Sequence, residues 1–355
     1  MSPRVTVVCG SGGVGKTTTS AAIGLAAARA GSRVLVVTVD PARRLAQALG
    51  AGDIGHEPVQ VECGGTGTLH VSMLDTKAGW DSLIRRHARD AATAERVLRN
   101  PLYDNITSRF VNSHDYIAME QVNELSQRTD LDLVVIDTPP SRNALDLLDA
   151  PRRMREFFGG RLLQWLTLPY RSRVLSLASR PFLQIADRLL GAQFLGDVAE
   201  FFTLLQSMEA GFVRRAREVE ELLTSERVGF ALVTTAEPAA SAEALHMLSE
   251  LGARRYRVER IVVNRVETSP GGTAETLPGP HEVTARVQGM DEATARHALE
   301  DIRRAHARRE STAAAHAARV AELSARGADV VVVNESRADG GAGALEEIAT
   351  VVSRG

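Results

Sequence analysis

The chain has 355 residues and a formal net charge of −2, and 44% of its residues are hydrophobic and 24% charged. This balance is ordinary for a globular protein, and the near-neutral charge argues against nucleic acid as a partner. The two cysteines, Cys9 and Cys63, form no CxxC pair, so no zinc site is predicted. There is no apolar run long enough for a membrane span and no room for a signal peptide before the motif at residue 10. We expect a cytoplasmic protein, with peripheral attachment to a membrane as an open alternative.

Short β-branched runs alternate along the chain with segments rich in alanine and leucine. Several runs are apolar throughout, which is typical of parallel strands covered on both faces. Helical segments such as 16–30 and 241–251 lie between them. This order predicts an α/β fold with a doubly wound, mainly parallel sheet. The predicted strands are Val5–Cys9, Arg33–Val39, Leu69–Leu74, Leu131–Asp137, Gly229–Thr234, Arg260–Asn264 and Asp329–Val333.

The alternation breaks in residues 151–226, which predicts a helical insert subdomain within a sheet domain made of residues 1–150 and 227–355. The first half of the insert is rich in arginine. Its large apolar side chains either form the core of the insert or line a face for a hydrophobic client or an anionic membrane. They are Phe157, Phe158, Trp165, Leu166, Phe182, Phe194, Phe201 and Phe202.

Two further segments after the insert have a helical pattern. Residues 282–326 predict one long or two shorter exposed helices. Residues 344–352 carry apolar positions at Leu345, Ile348, Val351 and Val352, and they predict a helix that packs on the body of the protein.

Residues Gly10 to Thr17 match the phosphate-loop pattern GxxxxGK[ST], between an apolar strand and an alanine-rich helix. Glycines let the backbone N–H groups converge on one phosphate, and the helix N-terminus adds its positive end. Lys16 would reach the β- and γ-phosphates, and the Thr17 hydroxyl would bind Mg²⁺. The alternative is a chance match in a glycine-rich turn. The predicted nucleotide contacts here are Ser11, Gly12, Gly13, Val14, Gly15, Lys16, Thr17 and Thr18.

Two other predicted strands end in aspartate, at Asp40 and at Asp137. The carboxyl ends of parallel strands meet at one edge of a sheet, so both carboxylates should face the γ-phosphate. Asp137 is predicted to bind Mg²⁺ directly or through water, and Asp40 to orient the attacking water. The alternative is that each aspartate caps the next helix.

These residues resemble the ArsA/GET class of ATPases, whose phosphate loop is a deviant Walker A motif. The matching segments cover most of the predicted sheet in the order of the family, and the second and third look most like actinobacterial ArsA-like ATPases. They are SGGVGKTTTS at 11–20, TVDPARRLAQALG at 38–50, VVIDTPPSRNALDLLDAP at 134–151, VTTAEP at 233–238 and VVNR at 262–265.

The resemblance implies roles for four residues. Asp40 would lie in switch I as the hydrolytic aspartate, and Asp137 would open switch II. Asn264 would hydrogen-bond the adenine, and Glu237 would lie near the nucleotide at a dimer face. Taken alone, Asn264 is a polar residue that ends a strand and Glu237 is a helix-start acid. The resemblance also implies a dimer that closes around ATP and a helical subdomain that moves with nucleotide state.

The chain departs from the pattern of this class at three places. Ser11 stands where the class has a signature lysine that reaches the phosphates of the partner subunit. Either turnover is slow, or a partner subunit or one of Arg43 and Arg44 supplies the charge. The zinc CxxC of the tail-anchor targeting members is absent, and residues 333–338 lack the prolines that close over the adenine.

The sequence therefore predicts an Mg²⁺-dependent ATPase. Hydrolysis would drive a conformational change in a homodimer, or in a heterodimer with a related ATPase, to target a hydrophobic client or to energise a transport partner. The alternative is a nucleotide-gated switch with little turnover, which acts as one half of a hetero-oligomer. A membrane-positioning ATPase of the Min type is a third interpretation.

Overall fold

The computed structural model describes most of the chain, including the whole predicted sheet. Asp40 and Arg43 lie outside the described residues, as does the middle of the predicted insert, residues 159–191. The described ranges are 2–39, 44–52, 54–103, 113–138, 144–158, 192–269, 277–335 and 341–354.

Eight strands form one sheet in the order β3-β4-β2-β5-β1-β6-β7-β8. Every neighbouring pair is parallel except β3 with β4, which is antiparallel. The predicted α/β fold with a doubly wound, mainly parallel sheet is thus confirmed. The strands are β1 (Arg4–Cys9), β2 (Arg33–Thr38), β3 (Val59–Val61), β4 (Thr68–Met73), β5 (Leu133–Asp137), β6 (Val228–Thr235), β7 (Val258–Val266) and β8 (Asp329–Asn334).

Helices cover both faces of the sheet, which explains the apolar strands. Alternate residues of β1 point to opposite sides: Val5 and Val7 join one core cluster and Val8 joins the other. The helices are α1 (Lys16–Arg29), α2 (Arg44–Leu49), α3 (Thr76–His87), α4 (Ala91–Leu98), α5 (Ser113–Leu125), α6 (Ala144–Phe158), α7 (Ala192–Ser207), α8 (Glu209–Leu223), α9 (Pro238–Ala253), α10 (Pro280–Arg286), α11 (Glu292–Ser324) and α12 (Gly341–Arg354).

Both segments with a helical pattern after the insert are helical in the structure. The first forms two helices, the seven-residue α10 and the 33-residue α11. The last forms α12, whose Leu345, Ile348 and Val352 are buried in the same core cluster as residues of α1. Arg29 donates two hydrogen bonds to Glu346, of 2.6 and 2.7 Å, across this contact. The apolar side of α12 is therefore occupied by packing, as its pattern predicts.

The described part of the predicted insert shares a core with the sheet. Phe201 on α7 and Phe212 on α8 are buried in the same cluster as Val5 and Val7 of β1. The division into residues 151–226 and a sheet domain stays a prediction. The side chains of Phe157, Phe158, Trp165, Leu166, Phe182 and Phe194 lie outside the described part. Among the described helices, none combines the length and hydropathy needed to cross a bilayer.

A buried ion pair joins α8 to α5 in this core. Arg215 Nε donates to Glu120 Oε1 at 2.5 Å, and both side chains are at least 90% buried. Arg86 of α3 lies 3.4 Å from the same oxygen. Burial raises the pKa of Glu120, and the Arg215 guanidinium opposes that rise. The charged form of Glu120 is therefore stabilised in this core by the Arg215 guanidinium.

Arg215→Ala is expected to lower the free energy of unfolding by about 3 kcal/mol at neutral pH, because it breaks a buried ion pair and leaves Glu120 with Arg86, 3.4 Å away, as its remaining cation. Glu120 then keeps a pKa above its unfolded value, so the folded state binds the proton more tightly. The loss should shrink as pH falls through that raised pKa and grow as pH rises above it. Urea unfolding of both proteins at several pH values measures this. A double variant, Arg215→Met with Glu120→Gln, should recover most of the stability because neither buried charge remains. A loss of stability in Arg215→Ala that does not depend on pH would contradict the prediction.

Candidate active site

The turn between β1 and α1 requires glycine at three positions. Gly10, Gly13 and Gly15 have φ values of 148°, 79° and 100°, a region that side chains with a Cβ rarely adopt. A Cβ on Gly10 would lie 2.0 Å from the carbonyl oxygen of Val233. Gly15 is the residue before α1, so the first free N–H groups of that helix face the inside of the turn. The local backbone thus has the shape that phosphate binding needs.

Lys16, the first residue of α1, bends back over this loop. Its side chain is buried, and its Nζ donates to the carbonyl oxygen of Ser11 at 2.8 Å. Burial raises the pKa of the neighbouring Cys9 thiol to about 12. Cys9 is therefore a protonated core residue, and Lys16 brings the positive charge at the loop.

Asp137 ends β5 directly beside the start of α1. It is fully buried and accepts hydrogen bonds from three hydroxyls: Thr17 at 2.9 Å, Thr38 at 3.0 Å and Ser20 at 3.1 Å. Burial raises the pKa of this carboxyl, and the three hydroxyls and Lys16 oppose the rise. A carboxylate and a hydroxyl 2.9 Å apart are hard oxygen ligands of the kind that Mg²⁺ prefers. The residues present therefore fit a magnesium ion held by Thr17 and Asp137.

Asn264 connects the end of β7 to the phosphate loop. Its Nδ2 donates to the carbonyl oxygen of Val14 at 2.9 Å, and its Oδ1 accepts from the N–H of Arg265 at 2.9 Å. A Cβ on Gly15 would lie only 2.4 Å from that Nδ2. In this structure, Asn264 therefore positions the loop, and its contact with adenine stays a prediction.

Glu237 lies at the same edge of the sheet, just before α9, with 68% of its side chain exposed. His316 of α11 approaches it, with Nε2 3.6 Å from Glu237 Oε1. The nucleotide contact of Glu237 stays a prediction.

Three residues of α11 hold the loops that follow β6 and β7, and we call them the α11 clamp: Arg309, His316 and Arg319. Arg319 donates to the carbonyl oxygen of Ala236 at 2.8 Å. His316 Nδ1 accepts from the N–H of Glu267 at 3.0 Å, and Arg309 Nε donates to the Glu267 carboxylate at 2.8 Å. The clamp ties the long helix to the edge of the sheet that carries the candidate site.

A cleft of about 560 Å³ opens over the phosphate loop. It brings together residues from the loop, from α2 and from the ends of β5 and β7, including two arginines that are far apart in sequence. Val14 is buried beneath the loop, with its side chain in the core. Asp40 lies outside the described residues. The lining residues are Gly13, Gly15, Lys16, Thr17, Thr18, Arg44, Gln47, Ala48, Thr138 and Arg265.

Sequence reasoning missed Ser20, Thr38 and Arg265 at this site. Ser20 lies one helical turn after Thr17, so a search for hydroxyls on the same face of α1 would find it. Thr38 is the last residue of β2 and reaches Asp137 only because β2 pairs with β5. Arg265 has no local signal, because its place in the cleft depends on its backbone conformation.

Residues 3–276 match the model of a family described as anion-transporting ATPase, ArsA. An uncharacterized protein of Streptomyces coelicolor is 28% identical over 78% of this chain and 66% of its own length. An ATPase ASNA1 homolog of Paramecium tetraurelia is 24% identical over 73% of this chain and 74% of its own. An ATPase GET3 of Malassezia globosa is 28% identical over 40% of each chain. The resemblance seen in the sequence is confirmed, and the chain belongs to the ArsA family of ATPases.

Proposed function

We propose that this chain hydrolyses Mg²⁺-bound ATP at the bond between the β- and γ-phosphates. The observation that carries the proposal is the buried contact between Thr17 and Asp137, 2.9 Å long, at the mouth of a glycine loop that also holds Lys16. This is the arrangement by which phosphate-loop ATPases hold a magnesium-bound triphosphate. Membership of an ATPase family supports the same reaction.

Each residue has a separate task in this reaction. The N–H groups of the loop and Lys16 hold the β- and γ-phosphates and stabilise the charge that builds up on them. Thr17 and Asp137 would hold Mg²⁺, which neutralises phosphate charge when it is bound. Asp40, predicted from the sequence, orients a water molecule for attack on the γ-phosphorus. The bond to the β-phosphate oxygen breaks, and ADP and phosphate leave.

The proposed output is a conformational change in a dimer, either of two identical chains or with a related ATPase. The change would target a hydrophobic client or energise a transport partner. Ser11 adds no charge to the loop, where the class has a lysine. Arg44 lines the cleft, which supports the interpretation that this arginine supplies the missing positive charge. Arsenite is a poor candidate cargo because it requires clustered thiolates. Cys9 and Cys63, the two cysteines, lie in different core clusters.

The second candidate is a nucleotide-gated switch with little turnover, and Ser11 favours it. A loop with one cation stabilises the transition state less than a loop with two, while ground-state binding through the N–H groups is retained. The two candidates therefore differ in turnover and agree in nucleotide binding.

Asp40→Asn is expected to lower the steady-state rate of ATP hydrolysis about 100-fold, because the amide orients the attacking water less well. ATP binding should be retained, since Asp40 has no proposed role in holding the phosphates. Phosphate release and the molecular mass with and without ATP are the measurements. Asp329→Asn, at the start of β8 on the opposite edge of the sheet, is the matched control.

Unchanged turnover in Asp40→Asn would contradict the assigned role. ATP-dependent dimerisation without turnover in the wild type would favour the switch. Absence of ATP binding in the wild type would overturn both candidates.

A further inference from the structure

Arg265 has a backbone conformation that is rare for a residue with a long side chain. Its φ is 55°, and among the described residues only one other non-glycine residue, Arg255, has a positive φ. The pairing of β7 with β8 shifts register between Val263 and Val266, so the strand bulges at this point. Strained conformations of this kind persist only where the surroundings enforce them, and they concentrate at functional sites.

The side chain of Asn264 connects this backbone conformation to the phosphate loop. The buried amide of Asn264 accepts from the N–H of Arg265 at one end and donates to the carbonyl oxygen of Val14 at the other, each at 2.9 Å. The bulge of β7 and the phosphate loop are therefore joined through one side chain. Arg265 is exposed while its neighbours Asn264 and Val266 are buried, so its side chain points out of the strand.

The exposed side chain of Arg265 lines the same cleft as Lys16, Thr17 and Thr18. No carboxylate of the described residues lies within ion-pair distance of its guanidinium. A cation that faces a cleft and has no carboxylate partner among the described residues is suited to a ligand with negative charge or a π surface.

The order of the strands indicates which end of a bound nucleotide Arg265 would face. The strands run β5-β1-β6-β7, so β7 lies three strand positions from β5, which ends at Asp137. At about 4.8 Å per strand, the backbones at Asp137 and Arg265 are separated by about 14 Å across the sheet. The γ-phosphate belongs beside Thr17 and Asp137. The nucleoside end then lies elsewhere in the cleft, and Arg265 lines the part of the cleft on the β7 side.

Resting on the proposed function, we infer that Arg265 binds the nucleoside end of ATP and ADP, its base and α-phosphate. A guanidinium is planar, so it stacks on a base and pairs with a phosphate oxygen in the same pose. Arg265 does not replace the charge lost at Ser11, since the lysine that the class has at that position acts on the phosphates of the partner subunit. It retains the nucleotide before and after hydrolysis, and ADP gains from it as much as ATP.

The test is the affinity of the full chain for Mg²⁺-ATP, Mg²⁺-ADP and Mg²⁺-pyrophosphate, measured by titration calorimetry. Arg265→Ala should weaken ATP and ADP binding by about tenfold or more and change pyrophosphate binding by less than about twofold, because pyrophosphate has no base or α-phosphate. Arg265→Lys should remain weaker than the wild type, since an ammonium cannot stack. Arg265→Gly removes the guanidinium and is free of the strain that alanine has at a positive φ, so the same loss in both variants comes from the missing guanidinium.

The matched control is Arg255→Ala. Arg255 also has a positive φ, of 60°, but it lies in the turn before β7 at the opposite edge of the sheet. Its substitution should leave all three affinities unchanged. Unchanged ADP affinity in Arg265→Ala, or an equal loss for pyrophosphate, would overturn the inference. A wild type that binds pyrophosphate and ADP equally well would also overturn it, whereas a wild type that binds no nucleotide would overturn the proposed function itself.

Discussion

Lys16→Ala is expected to reduce the kcat/KM of ATP hydrolysis by about 1,000-fold or more. Lys16 is the only cation that the loop itself contributes, because Ser11 occupies the place of the second one. Positioned cations on a transferring phosphoryl group contribute about 10³–10⁵ in rate. The substitution also removes the hydrogen bond to the Ser11 carbonyl oxygen. Turnover and ATP affinity should therefore both fall, and phosphate release with equilibrium binding measures them.

The composition of the chain provides an unusually clean control. It contains only two lysines, Lys16 and Lys77. Lys77 on α3 is 64% exposed and pairs with Asp81 at 3.6 Å, so Lys77→Ala should leave ATP hydrolysis unchanged. An amine acetylating reagent followed by mass spectrometry should modify Lys77 rapidly and Lys16 slowly, and ATP should protect Lys16 further. Rapid acetylation of Lys16 in the presence of saturating ATP would contradict its place on the phosphates.

Asp137→Asn is expected to have opposite effects on activity and on the stability of the ligand-free protein. It removes the charged oxygen that would hold Mg²⁺, so kcat/KM should fall by about 10³, which corresponds to about 4 kcal/mol. Burial disfavours the charged form of this carboxyl and raises its pKa. The neutral amide avoids that cost at neutral pH, so the melting temperature without ligand should stay the same or rise.

Thermal unfolding with and without ligand separates these effects. In the wild type, Mg²⁺-ATP at about 100 times its dissociation constant should add about 2.7 kcal/mol of stability, and Asp137→Asn should lose most of that gain. Asp132→Asn is the control, because Asp132 is an exposed carboxylate paired with Arg33 at the opposite edge of the sheet. A ligand-free Asp137→Asn protein that melts well below the wild type would mean that the carboxylate stabilises the fold.

The sequence predicts this site well where the functional residues are close together along the chain. The loop from Gly10 to Thr17 is contiguous, so its glycines and Lys16 are visible as one motif. The placement of Asp137 follows because the carboxyl ends of parallel strands share an edge. All seven predicted strands are present within two residues of their predicted ends, since buried parallel strands carry strong apolar runs.

Contacts between distant segments account for what the sequence could not predict. The strand β3 is three residues long, antiparallel and largely exposed, so it has no apolar run to reveal it. The amide of Asn264 bonds to Val14, 250 residues earlier in the chain, and no spacing rule connects them. Arg265 lines the cleft at a bulge where the pairing of β7 with β8 shifts register. The residues of the α11 clamp could not be predicted either, because α11 carries many other arginine and histidine residues along its length.

The α11 clamp gives the long helix the geometry of a lever. His316 lies 24 residues from Glu292 at the start of α11, which is about 36 Å along the helix axis at 1.5 Å per residue. A rotation of about 10° around the clamp would move the Glu292 end by about 6 Å, while the loops after β6 and β7 shift by far less. Among the described residues, the first half of α11 is largely exposed and its main helix contact is with α10, so little of that part of the protein would resist such a swing. A small shift of the loops that the clamp holds would therefore be amplified at a surface far from the candidate site.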